Sequence, residues 1–307
     1  MVKKFNITGT CRPAKHYMAD VSKKLAETLA FVGAGEYFII NRPRQYGKTT
    51  TLYTIADILR RTGEYLVFNM SFEAISETSF ESESAFAPSF IRFLAKSIRS
   101  FDAVMAAELL ALAPTVEDFE GLSVFINQLS ENSDKKIVLM IDEVDKSSNN
   151  QLFLSFLGVL RNMYLEQDSA KTFHSVVLAG LHDIKTLKLK LRPDAEAKYN
   201  SPWDIATDFK VDMNLYPDEI KPMLDDYAAE QGVTMDTKWV AERLFYYTSG
   251  YPFLVSKLCK TIAEELVPKK EEKTWTFEDI EQSVRLLMKE INKERELNKS
   301  IFYAAIL

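Results

Sequence analysis

The chain has 307 residues, 47% hydrophobic and 27% charged, with a formal net charge of −6. That composition belongs to a folded globular chain and excludes disorder, while the acidic surplus counts against tight sequence-independent nucleic-acid binding. No window approaches the roughly 18 unbroken apolar residues of a membrane helix, no apolar core follows Lys3 and Lys4 to make a signal peptide, and two distant cysteines, Cys11 and Cys259, point to a reducing cytoplasm.

In chain order, the short apolar run 36–41 predicts a buried strand that ends in a Pro-containing turn. From Thr49 to Arg61 the residues Leu52, Ile55, Ala56 and Leu59 recur at helical spacing, and Gly63 closes the segment. A second strand is expected over 65–68, helices over 85–98, 104–112 and 119–129, and the strongest strand over 136–141. A helix over 152–165 and strands over 174–179 and 210–213 follow. Strands alternating with helices predict an α/β fold, a parallel sheet covered on both faces. Beyond Tyr216 the pattern turns helical, over 217–230, 237–247, 252–266 and 277–299, so a domain boundary is expected near residue 215: an α/β core over 1–215 and a helical domain over 216–307. The apolar, uncapped run 300–307 reads as a cut through a longer protein.

Between the first strand and the first long helix lies Asn41–Thr50, NRPRQYGKTT. A strand–loop–helix setting ending in Gly-Lys-Thr is that of a phosphate loop. Backbone N–H groups at the helix start and the helix dipole attract phosphate. Gly47 lets the backbone approach, and Arg44, Gln45, Tyr46 and Thr50 complete the cradle. Lys48 is expected on the β- and γ-phosphates of ATP and Thr49 on Mg²⁺. The first glycine usual in such loops falls on Arg42. Either Arg42 takes a β-like conformation that needs no glycine, or the loop is wider and binds more weakly.

The second half of the expected site is the run Ile137–Ile141, which ends abruptly in Asp142 and Glu143. A buried strand delivering two adjacent carboxylates beside a phosphate loop suits a metal ligand, Asp142, and a general base, Glu143. Asp145 reads as a cap for the next segment. At the end of the 174–179 strand, His182 or Asp183 occupies a place from which a side chain could sense the γ-phosphate, whereas His174 reads as structural. The basic run Lys185, Lys188, Lys190 and Arg192 reads as a solvated face, or else as a surface for a polyanion.

These strings carry a resemblance. Phe5–Pro13 (FNITGTCRP), His16–Met18, Ile40–Thr50, Leu178–Ile184 (LAGLHDI), Ser201–Ile205 (SPWDI) and Thr248–Val255 (TSGYPFLV) closely resemble the bacterial AAA-like ATPase domain proteins, of the STAND, archaeal-ATPase and Orc-like branch of P-loop ATPases. The resemblance runs from about residue 5 to 265. It implies a core of about five strands with a helical lid, and ATP held between them. By analogy, the arm around 13–20 lies against the adenine, with Tyr17 as a stacking face and His16 as a hydrogen-bonding group. The Gly250-Tyr-Pro252 turn matches the Gly-x-Pro element with which such lids touch the nucleotide. Arg192, acting across an interface, and Arg44 are candidates for the arginine that stabilises transition-state charge.

The function so implied is a Mg²⁺-dependent ATPase switch in the cytoplasm. Two other readings stand beside it: a nucleotide-gated module that turns over little ATP, and an Orc-like DNA-binding ATPase. ATP or ADP and a protein partner are expected, and a homo-oligomer is compatible with the family. A membrane is not expected, and nucleic acid draws no support from the net charge.

Overall fold

The computed structural model describes residues 2–144, 151–180 and 205–304. Four short apolar runs become four parallel strands: β1 (Tyr37–Asn41), β2 (Tyr65–Ser71), β3 (Lys136–Asp142) and β4 (Ser175–Gly180). Their order is β1-β4-β3-β2. Tyr37 to Asn41 pairs with Val176 to Gly180, and Ser71 lies opposite Asp142. The two central strands are buried almost throughout. Strands covered on both faces read as continuous apolar runs, which is why they were predictable.

Helices α1 (Ser22–Gly33), α2 (Lys48–Thr62), α3 (Glu83–Ile98), α4 (Ala103–Leu112), α5 (Phe119–Glu131) and α6 (Gln151–Leu165) accompany the sheet. Ser82, Asp102 and Asp118 accept backbone N–H groups in the first turns of α3, α4 and α5, a contribution of about 1 kcal/mol each. Phe72, Phe86, Phe90 and Phe156 pack ring against ring in the core. The helical region comprises α7 (Pro217–Gln231), α8 (Thr237–Thr248), α9 (Pro252–Thr261) and α10 (Phe277–Ala304), with a π-helical turn over Ile262–Leu266.

The strand expected over 210–213 does not form. The chain makes only an isolated parallel bridge, Phe38 with Thr207, on the free edge of β1. Thr207 N donates to Tyr37 O at 2.9 Å, and its hydroxyl bonds the Glu36 carboxylate. The Val211 carbonyl, which a ladder would use, instead accepts from the Arg42 guanidinium at 2.9 Å. Four strands are therefore seen among the described residues, with this bridge where a fifth would lie.

The chain divides into two compact units: Lys23–Arg44 with Lys48–Val211, and Met1–Ser22 with Gln45–Gly47 and Asp212–Leu307. In the second unit, Phe5 and Tyr17 from the N-terminal arm join Tyr227 and Trp275 in one aromatic cluster. Tyr17 N donates to Lys4 O at 3.2 Å, Asp20 N to Glu219 O at 2.9 Å, and Lys3 pairs with Asp226 at 2.7 Å. These contacts fasten the arm to α7. Among the described residues no helix is long and apolar enough to cross a membrane.

Candidate functional site

β1 feeds Arg42, and α2 starts at Lys48, so the loop between them leaves the carboxyl end of the sheet and runs into a helix N-terminus. The first amides of α2 have no partner within the helix, which is what an anion requires. Gly47 has φ 79°, and a Cβ built on it would meet no heavy atom within 4 Å. The glycine is thus needed for its backbone angle, and the space before it is open.

Arg42 is no left-handed residue. Its N–H donates to Gly180 O at 3.2 Å, extending the β1–β4 ladder by one residue. Its guanidinium donates to Asn41 O at 2.8 Å and to Val211 O at 2.9 Å. Arg42 therefore uses no backbone angle that requires glycine. Lys48 is buried, and its Nζ donates to Arg42 O at 2.8 Å and Pro43 O at 3.0 Å. The ammonium is held inside the loop, where phosphate oxygens would compete with those two carbonyls for its protons. Arg44 and Gln45 are exposed, Thr49 is exposed, and Thr50 is half-buried, its carbonyl accepting from Thr54 Oγ1.

β3 ends beside this loop. Thr49 Oγ1 donates to Asp142 Oδ2 at 2.5 Å, and Glu143 N donates to Asp142 Oδ1 at 3.0 Å. Asp142 is only 4% exposed, and a buried carboxylate needs such donors. The hydroxyl and carboxylate suit Mg²⁺, which is commonly held by one or two protein oxygens together with substrate phosphates. Among the described residues no group of three or more His, Cys, Asp or Glu side chains could hold a metal unaided.

Gln45 (φ 63°), Glu143 (φ 53°) and Ser249 (φ 50°) are the non-glycine residues with left-handed backbone among the described residues. Each conformation costs on the order of 1 kcal/mol and persists only where the surroundings enforce it. One lies in the phosphate loop, one at the acidic strand end, and one immediately before Gly250. The unusual backbone thus falls in the phosphate loop, at the acidic strand end and beside the turn that the resemblance singled out.

In the second unit, Pro252 opens α9 and Tyr251 precedes it. Leu215 N donates to Gly250 O at 2.7 Å, and a Cβ on Gly250 would sit 2.3 Å from Leu215 O. The ring of Tyr46, in the Gln45–Gly47 segment of this unit, stacks on Tyr251 with centroids 4.7 Å apart. Burial first, and then Tyr46, raises the Tyr251 phenol pKa. Sequence reasoning missed this stack; its only trace was a tyrosine within each motif. Tyr17 is buried against Phe5 and Tyr227, its hydroxyl accepting from Gln231 Nε2 at 2.9 Å, and burial raises its pKa. His16 Nδ1 accepts from Arg12 N at 2.8 Å; burial, then Lys4, Lys15 and Arg12, lowers its pKa. Asp145, His182, Asp183, Arg192 and the basic run 185–192 lie outside the described residues.

No protein-family model and no curated protein matches the chain. Solved structures do share its fold. CDC6P from Pyrobaculum aerophilum is similar at a TM-score of 0.52 and 15% identity, over 92% of this chain and 69% of that one. The ORC2 protein of Aeropyrum pernix in its ADPNP-ADP complexes is similar at 0.50 and 11%, over 91% and 70%. Its ADP form is similar at 0.51 and 10%, over the same shares. A parallel sheet flanked by helices and followed by a helical region is the architecture common to them.

Proposed function

We propose that the chain binds ATP on the loop Arg42–Thr50 and hydrolyses it in a Mg²⁺-dependent way, as a conformational switch of the STAND, archaeal-ATPase and Orc-like branch. The observation that carries this reading is the Thr49–Asp142 hydrogen bond, which joins the loop hydroxyl to the strand carboxylate. A fold shared with a protein solved in ADPNP-ADP complexes adds support.

Lys48 exchanges the carbonyls of Arg42 and Pro43 for phosphate oxygens, and the amides of the first α2 turn take up the rest of the charge. Thr49 and Asp142 would hold Mg²⁺, which neutralises developing phosphate charge when bound. Glu143, held at its unusual φ directly after Asp142, is the residue assigned to orient the attacking water and accept its proton. His182 and Arg192 keep the roles of γ-phosphate sensor and charge-stabilising arginine in this proposal, and Pro252 that of the nucleotide-touching turn. Tyr46 supports the switching part: a loop that rearranges around phosphate moves a ring that stacks on the Gly-Tyr-Pro turn.

The test is ATP affinity and turnover of the wild type beside Lys48→Ala and Glu143→Gln, with and without Mg²⁺. Loss of binding in the first and binding without turnover in the second bear the proposal out. Tight wild-type binding with no turnover would replace the hydrolase by a nucleotide-gated binding module. No binding at all would end both readings.

A further inference from the structure

At the opposite end of the same sheet, where β1, β3 and β4 begin, lies a cleft of about 380 Å³, within the range of small-molecule sites. Its walls include Gly35, Lys135, Lys136, Lys171, Thr172 and His174. Among the described residues its charged lining is three lysines against one carboxylate, Asp134, so the excess there is positive. Lys136 Nζ lies 6.0 Å from the Tyr65 ring, and that ring lies 6.0 Å from the His174 imidazole. Lysine and imidazole are thus gathered about one aromatic side chain at the amino ends of β2, β3 and β4.

His174 carries the second observation. Its Nε2 is buried with no hydrogen-bond partner among the described residues. A buried polar atom left without a partner costs about 1–3 kcal/mol. The imidazole pKa is lowered by burial first and by Lys136 second, while hydrogen bonding to the backbone of Val32 and Gly33 opposes this. Gly35 at φ 78° leaves its would-be Cβ 3.3 Å from His174 O and 3.4 Å from the imidazole Cε1. The wall is backbone-close, and a side chain at position 35 would crowd the histidine.

We propose that this cleft binds a small phosphate-bearing anion of mononucleotide size or less, held by Lys135, Lys136 and Lys171 with His174 at its inner wall. Lysine ammonium groups are compact point charges with rotating donors, which suit phosphate. Among the described residues no arginine, the side chain that grips carboxylates by a planar fork, lines the cleft. The His174 ring, half-buried at the wall, reports on occupancy of the cleft. This site does not depend on the nucleotide reading, because it stands at the other end of the strands from Lys48 and Asp142.

The experiment uses the full chain carrying Lys48→Ala, so that the phosphate loop is disabled, and inorganic pyrophosphate as the probe. The chain has three histidines, so imidazole Hε1 signals in proton NMR are few, and His174→Gln assigns the relevant one. The expected result is a saturable shift of the His174 signal that weakens about tenfold or more in Lys135→Ala/Lys171→Ala, with an unchanged amide spectrum showing that the variant folds. A His174 signal that stays still, or a shift that persists undiminished in the double variant, would overturn the site. Citrate binding as tightly as pyrophosphate would overturn the phosphate class.

Discussion

Thr49 and Asp142, 93 residues apart, meet in a 2.5 Å hydrogen bond in which the threonine hydroxyl donates to Oδ2 of the carboxylate. The backbone N–H of Glu143 occupies the other oxygen. Asp142→Asn preserves shape, and the amide can keep its oxygen toward Glu143 N while its NH₂ faces the Thr49 oxygen. What is lost is the charge. The variant is therefore expected to fold and to bind ATP, while its Mg²⁺-dependent activity falls ~10–100-fold. ATP turnover against Mg²⁺ concentration checks this, and an unchanged Mg²⁺ response would remove Asp142 from the site.

Two glycines of similar φ should behave in opposite ways. At Gly47 (φ 79°) an added Cβ meets nothing within 4 Å, whereas at Gly250 (φ 76°) it lands 2.3 Å from Leu215 O and 2.9 Å from Leu215 N. Gly47→Ala should cost only about 1 kcal/mol of stability and show itself in weaker ATP binding. Gly250→Ala forces backbone apart and should cost about 1–3 kcal/mol beyond that. Denaturant unfolding beside ATP titration separates the two, and equal stability losses would contradict the geometry.

Arg42 invites a restoring substitution, since glycine is usual at that point of the loop. The structure argues against restoring it. The guanidinium spans 169 residues of sequence to reach Val211 O and also holds Asn41 O. Arg42→Gly would remove one donor from each of the Asn41 and Val211 carbonyls and free the backbone beside Lys48. A stability loss of about 1–3 kcal/mol is expected, with ATP affinity equal to or weaker than wild type. Tighter ATP binding by the glycine variant would show that Arg42 obstructs the loop.

The sheet was legible because its strands are buried on both faces, so Ile137–Ile141 and the run ending at Ala179 stand out as unbroken apolar stretches. The loop was legible because Gly-Lys-Thr follows such a run and opens a helix. Helix α1 was not read, although Leu25, Leu29 and Val32 recur at helical spacing; only Thr28 and Val32 of its 12 residues are buried. The segment 210–213 looked like a strand by composition, but Val211 is held by Arg42, a partner no local pattern reveals. The same limit applies to Tyr46 and Tyr251. Each sits in a recognisable motif, yet their stacking depends on long-range packing. His174 read as a strand-start residue, and only the cavity beside it gives its ring a further meaning.

That ring also sets a pH dependence. Burial and Lys136 lower the His174 pKa in the folded chain, whereas in the unfolded chain it returns to about 6.5. Below that value unfolding takes up a proton that the folded state resists, so the unfolded state gains on the folded one as pH falls. The stability tied to this neutral imidazole is fully present above about pH 6.5 and is lost progressively as pH drops through that value toward the lower folded pKa. His16, lowered by burial and by Lys4, Lys15 and Arg12, acts in the same direction. Carboxylates in the unfolded chain titrate near 4, so the upper part of this window belongs chiefly to histidine. His174→Gln should lower stability somewhat at every pH, because the bonding to Val32 and Gly33 changes, but its dependence on pH between about 7 and 5.5 should be shallower than the wild type's. Urea midpoints across that range measure it. A variant with the wild-type slope would mean that His174 is solvated in the folded chain, and that the cleft beside it does not hold its ring neutral.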